Sequence, residues 1–244
     1  MAQGKGPEVR RKALAELLGT FALVFAGTGA IVVNDVSGGQ VSHVGVSLTF
    51  GLVVMVMVFA LGEISGAHLN PAVTLGFAVA GQLNWKTVPG YVAAQTAGAI
   101  LASLFLKGLF PTHATLGSTV PAGSGAQSFA LEIVLTFFLM TVVLSVSSGA
   151  KERGLAAPFA VGGVVAMEAL FGGPISGASM NPARSLGPAL VSGHPGYLWL
   201  YLTAPVIGSL FAVGTWKALT HSHGHARIEP NAHASPPGPL GPNA

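Results

Sequence analysis

The stretch Ser65-Gly-Ala-His-Leu-Asn-Pro-Ala-Val-Thr-Leu-Gly76 recurs as Ser176-Gly-Ala-Ser-Met-Asn-Pro-Ala-Arg-Ser-Leu-Gly187, with eight of twelve positions identical. A second echo precedes each copy. Leu14-Ala-Glu-Leu-Leu-Gly-Thr-Phe21 aligns with Ala130-Leu-Glu-Ile-Val-Leu-Thr-Phe137, so that Glu16 matches Glu132 and Thr20 matches Thr136. Two echoes in the same order mark an internal duplication built around Asn70 and Asn181.

Hydrophobic residues make up 51% of the chain and charged residues 8%, which is too little charge for the surface of a soluble globule. Six apolar runs are long enough, at about 20 residues, to cross a hydrocarbon core. They are Ala13 to Val33, Val41 to Leu61, Val88 to Leu106, Phe129 to Ser147, Leu155 to Phe171 and Tyr197 to Trp216. Three carry no charge, and the others carry one acid each: Glu16, Glu132 and Glu168. The run behind Arg10, Arg11 and Lys12 is a full span, so no cleaved signal peptide is expected. With the N-terminus in the cytoplasm, nine of the eleven Lys and Arg residues lie inside, and only Lys107 and Arg184 outside. The basic balance therefore reflects membrane topology and gives no support to a nucleic-acid partner. The absence of cysteine excludes disulfides, thiolate chemistry and Cys-based metal sites. No nucleophile, base and metal group assembles, so no enzyme and no cofactor is expected.

Three spans per half is an odd number, so the second half enters the bilayer with the opposite sense to the first. The Asn-Pro-Ala triplets fall between the second and third span of each half, and Pro71 and Pro182 suit the first turn of a helix. The segments behind the prolines, Ala72 to Val79 and Ala183 to Val191, are apolar but only about half a bilayer long. The expected fold is all-α: six transmembrane helices plus two re-entrant half-helices in an inverted repeat. Non-helical backbone at membrane depth is tolerated where it lines a water-filled cavity, so two loops meeting at the midplane imply a pore. The division expected is a cytoplasmic segment over 1–12, a channel domain over 13–218 (repeats about 13–108 and 127–218), and a disordered cytoplasmic tail over 219–244. His221, His223 and His225 alternate in that tail, but a flexible segment without orienting partners makes a poor metal site, and none is assigned.

Asn70 and Asn181 each stand where they cap a half-helix, at a terminus equivalent to roughly half a positive charge. Two positive ends facing one another repel cations and protons. A water donating to neither asparagine must point its oxygen at both, which breaks the chain that proton hopping needs.

On this doubled motif, the chain resembles the aquaporin, or major intrinsic protein, family over about residues 10 to 218. The resemblance implies a right-handed bundle, a homotetramer with one pore per subunit, and pore-lining Asn70, Pro71, Ala72, Asn181, Pro182 and Ala183. It places the selectivity filter at Phe50, Ala169, Ala178 and Arg184. Arg184 stands where the first copy has Val73, and a lone intramembrane arginine marks a functional site. Strict water channels of the family usually hold histidine at the Ala169 place and cysteine or threonine at the Ala178 place. Two alanines widen the constriction and leave an apolar wall opposite a donor, which suits a small polyol or hydroxide. Gly173 to Ala189 resembles the nodulin-like branch, which carries glycerol and metalloid hydroxides such as arsenite or boric acid; Ser185 replaces the aspartate of the glycerol-facilitator branch.

The family also implies that Glu16 and Glu132 accept hydrogen bonds from the re-entrant loops. Glu168, beside Ala169, is expected to line the outer vestibule or hold a loop backbone, and His68 to add a polar group to the inner pore. Glu63, where the family commonly has histidine, is read as solvated. His43, His113 and His194 receive no role. The function expected is a passive channel for water and small uncharged solutes that excludes ions, in a cell or inner membrane with both termini cytoplasmic. The alternatives are a strict water channel and a coupled secondary transporter, which would need titratable groups at the midplane.

Overall fold

The computed structural model describes residues 5–147 and 151–221. Six long helices and two short ones run in order: α1 (Lys5–Val36), α2 (Ser42–Ser65), α3 (Pro71–Val79), α4 (Val88–Leu109), α5 (Gly125–Ser147), α6 (Lys151–Ser176), α7 (Pro182–Ser192) and α8 (Leu198–His221). A single 3-10 turn, Trp85–Thr87, leads into α4. The six long helices contain stretches long and apolar enough to span a membrane. They correspond one to one with the six apolar runs and extend past most of their ends, because polar residues at the interface prolong a helix without adding hydropathy. The expected tail lies, beyond His221, outside the described residues.

The duplication organises the packing. α1 lies against α2 and α4 as α5 lies against α6 and α8, and α2 meets α6 between the halves. At that meeting, Gly51 and Gly162 face each other, and a Cβ on either would stand 2.6 Å from the other's carbonyl oxygen. A matched pair closes each half: Gly98 of α4 abuts the Leu17 carbonyl, and Gly208 of α8 abuts the Ile133 carbonyl. Small residues let helices approach closely where lipid gives no hydrophobic drive to associate. The short helices cross over, α3 packing against α8 and α7 against α4, so each half is completed by the other.

The outer faces remain apolar. Leu18, Leu101, Phe105, Phe138 and Phe211 are each exposed in the single chain, as expected of surfaces that meet lipid or other copies.

Candidate functional site

The two short helices begin at one place. Each asparagine lies in extended backbone and caps the helix behind it, with proline in its first turn. Asn70 Oδ1 accepts the Ala72 N–H at 2.8 Å. Asn181 Oδ1 accepts from Ala183 N at 3.0 Å and from Arg184 N at 3.3 Å. The amide nitrogens then reach across: Asn70 Nδ2 donates to the Met180 carbonyl and Asn181 Nδ2 to the Leu69 carbonyl, both at 2.8 Å. Each amide nitrogen carries two hydrogens. One is spent on the opposite loop, which leaves one per asparagine for the cavity that both residues line. Ala72 and Ala183 are buried behind them, and Ser209 of α8 donates to the Ala72 carbonyl at 2.8 Å.

The segments leading to the asparagines are strained alike. Ala67 and Leu69 have φ of 46° and 52°, and Ala178 and Met180 have φ of 40° and 53°. Left-handed backbone costs a non-glycine residue roughly 1–2 kcal/mol. The compensation comes from two wholly buried carboxylates. Glu16 accepts from Ser65 Oγ (2.7 Å), His68 N (2.9 Å), Leu69 N (2.7 Å) and Gln95 Nε2 (2.8 Å). Glu132 accepts from Ser176 Oγ (2.7 Å), Ser179 N (2.8 Å) and Met180 N (2.8 Å). Two tyrosines brace the loop starts, Tyr91 donating to the Ser65 carbonyl at 2.7 Å and Tyr201 to the Ser176 carbonyl at 2.6 Å.

Phe50, Ala169, Ala178 and Arg184 are brought together from α2, α6, the second loop and α7. All four line both the inner cavity and the outer vestibule, and so stand at the boundary between them. The guanidinium carbon lies 5.0 Å from the centroid of the Phe50 ring. Arg184 Nη1 donates to the Gly117 carbonyl at 2.9 Å, while Nε has no protein partner. An arginine 2% exposed, with one donor tied down and others unspent, presents hydrogen-bond donors to whatever occupies the constriction. The other three side chains at this boundary, two methyl groups and an aromatic ring, offer no hydrogen bond.

The remaining expected residues divide. His68 lines the inner cavity, stacks on Phe77 with centroids 4.5 Å apart, and holds Thr74 Oγ1 through Nδ1 at 3.1 Å. Glu63 is exposed at the end of α2. Glu168 departs from both of its expected places. It lines neither cavity, it accepts from no loop N–H, and its two oxygens have no partner although it is only 1% exposed. One residue along a helix rotates a side chain by about 100°, so with Ala169 lining the cavities Glu168 is turned off them. Gly172, one turn further along the Glu168 side, lies against Leu135 of α5.

Several contributing residues escaped the sequence reading. His43 and Asn34 line the outer vestibule, and His43 Nε2 lies 2.7 Å from the Leu170 carbonyl. Gly117 and Thr119 come from the connection between α4 and α5, which carries no motif. Tyr91 and Tyr201 were legible in principle: Tyr91-Val-Ala-Ala-Gln-Thr-Ala-Gly98 and Tyr201-Leu-Thr-Ala-Pro-Val-Ile-Gly208 form a third echo of the duplication, in which Gln95 stands against Pro205 and so has no counterpart to reveal it. Among the described residues, no group of three His, Cys, Asp or Glu side chains converges as a metal site.

The family model described as "Major intrinsic protein" matches residues 4–216. Aquaporin NIP1-3 of Oryza sativa subsp. japonica is 50% identical over 209 residues, covering 84% of this chain and 72% of its own. Aquaporin NIP3-1 of Arabidopsis thaliana is 44% identical over 217 residues, covering 86% and 67%. Among solved structures, the aquaglyceroporin from Plasmodium falciparum superposes with a TM-score of 0.79 at 26% identity, over 87% of this chain and 97% of that one.

Proposed function

Since this chain belongs to the major intrinsic protein family, we propose that its pore conducts water together with small uncharged polyols and hydroxides, glycerol and metalloid hydroxides among them, through the constriction at Phe50, Ala169, Ala178 and Arg184. The protein is a multi-pass membrane channel for water and small solutes, and not an enzyme.

The observation that carries the solute reading is the asymmetry of the constriction. A buried arginine with unspent donors shares the lining with Ala169, Ala178 and an aromatic ring. A polyol has hydroxyls along one edge and C–H groups along the other, so it satisfies both walls at once. A cation must shed hydration beside a guanidinium and against walls that offer no negative charge, at a cost that far exceeds one hydrogen bond. The relatives' names agree with this class: aquaporins in plants, and an aquaglyceroporin among solved structures.

Below the constriction, exclusion of protons rests on the paired asparagines. One free amide hydrogen on each, with two helix N-termini behind them, orients a passing water with its oxygen toward both. That water cannot accept a proton from one neighbour and hand one on in the same direction. The two short helices act in this reading as re-entrant half-helices, one from each side of the bilayer. The basic residues counted in the sequence favour an orientation with both termini cytoplasmic. Membership of the family favours a homotetramer in which each subunit keeps its own pore, and the apolar outer faces are compatible with contact to lipid or to other copies.

Stopped-flow light scattering on proteoliposomes tests the solute class. Rapid entry of glycerol and of boric acid, alongside water, over empty vesicles supports the open constriction. Water flux without solute flux overturns it in favour of a strict water channel.

A further inference from the structure

Behind Ala178 and Arg184 runs a line of buried hydroxyls whose hydrogens can be assigned by elimination. Ser179 Oγ donates to the Asn181 carbonyl at 3.0 Å, which uses its hydrogen. The 2.5 Å contact between Ser179 Oγ and Ser185 Oγ is therefore donated by Ser185. Ser185, its own hydrogen spent, accepts from Thr119 Oγ1 at 2.8 Å. The result is one directed chain, Thr119 to Ser185 to Ser179 to Asn181, whose hydroxyl-bearing members are 8%, 1% and 5% exposed.

We propose that Thr119 and Ser185 are specificity-determining positioning residues: their hydroxyl chain locks the connection between α4 and α5 onto the second loop and so fixes where the Arg184 guanidinium stands. The coupling is short. Gly117, whose carbonyl takes Arg184 Nη1, is two residues from Thr119, and Ser185 is next to Arg184. The connection thus grips the arginine at both ends, its guanidinium through Gly117 and its backbone neighbour through Thr119. Thr119 also packs on Gly177, where a Cβ would stand 3.0 Å from the Thr119 methyl, so the contact has little slack. The connection meets the second loop again where Ala122 N donates to the Ile175 carbonyl at 3.0 Å. Hydroxyls in such a chain polarise one another, so the loss of one member weakens the rest.

This inference rests on the reading of Arg184 as the donor of the constriction, and the experiment separates the two. Thr119→Val and Ser185→Ala remove one hydroxyl each with little change of volume, and Thr119→Ser and Ser185→Thr restore the oxygen. Water, glycerol and proton flux are measured in proteoliposomes, on protein that still elutes as the wild-type species. Both removal variants should shift the glycerol-to-water ratio severalfold and raise proton leak, the double variant should match the single ones, and the restoring variants should return to the wild-type ratio. An unchanged ratio in folded protein overturns the proposal, as does a Thr119→Ser variant that behaves like Thr119→Val. If wild-type protein passes water alone, the solute class fails, while water flux and proton leak still decide the positioning role.

Discussion

The two loops share a sequence, a backbone and a carboxylate anchor, yet they are supported from different places. In the first half, Gln95 of α4 bridges Glu16 and Thr74, donating to both at 2.8 and 2.9 Å. Thr74 passes its hydrogen to the Asn70 carbonyl at 3.0 Å, so His68 Nδ1 is the donor to Thr74. In the second half, the place of Gln95 falls to Pro205, which has no side-chain donor, and the place of Thr74 falls to Ser185. There Thr119, from outside the bundle, does what Gln95 does from within it. Apart from the crossed bonds between the loops, the first loop takes its described side-chain supports from the helical core. The second, which carries Arg184, takes part of its support from an outer connection whose sequence can vary without disturbing helix packing.

Removing the shared element gives the largest effect and tests the inequality between the halves. Glu16→Ala takes the acceptor from four donors, of which Gln95 keeps its bond to Thr74, and Glu132→Ala takes it from three, each lost bond to a buried donor worth about 1–3 kcal/mol. Both variants are expected to lose most folded protein in detergent, and Glu16→Ala the more, as read by thermal melting followed on size exclusion. Equal losses would mean that the Gln95 bond contributes nothing.

Arg184→Val converts the second copy to the residue of the first at Val73. With the helix ends as the remaining barrier, proton conduction across vesicles should rise well above wild type, as measured with an entrapped pH dye. Leak that stays at the wild-type level would remove the arginine from the exclusion mechanism.

Ala169→His combined with Ala178→Thr fills the open side of the constriction. Glycerol flux should fall severalfold more than water flux; parallel losses would show that these two positions do not set the width. Ala178 sits at a φ of 40°, so the β-branched threonine also adds backbone strain, and Ala169→His alone serves as the cleaner control.

The smallest effect sharpens the contrast. Gln95→Leu should cost about 1–3 kcal/mol through the donors lost to Glu16 and Thr74. Because the loss lies in the first half, the melting temperature should drop while the glycerol-to-water ratio holds. A shifted ratio would mean that the two loops are more tightly coupled than the crossed bonds of Asn70 and Asn181 suggest.

Six spans, the inverted repeat and the two short helices were legible because each rests on a one-dimensional signal: run length, an odd count of runs per half, and proline after a capping asparagine. That Phe50, Ala169, Ala178 and Arg184 come together could be expected only through spacing taken from a family. Glu168 shows the limit of reading neighbours along the chain. Adjacent residues on a helix point in different directions, so Ala169 at the lumen turns Glu168 away from it.

By itself, then, the sequence determined the class of the molecule, a duplicated membrane bundle with two asparagines at its centre, since hydropathy and capping are local properties of the chain. Only the tertiary structure decided which atoms spend the hydrogens. Gly117 meets Arg184, Thr119 meets Ser185 and Gln95 meets Glu16 across separations of 67, 66 and 79 residues, and no local pattern announces such partners. The left-handed backbone at Leu69 and Met180 is of the same kind. Neither residue prefers it, and it persists because a buried carboxylate holds the N–H of each.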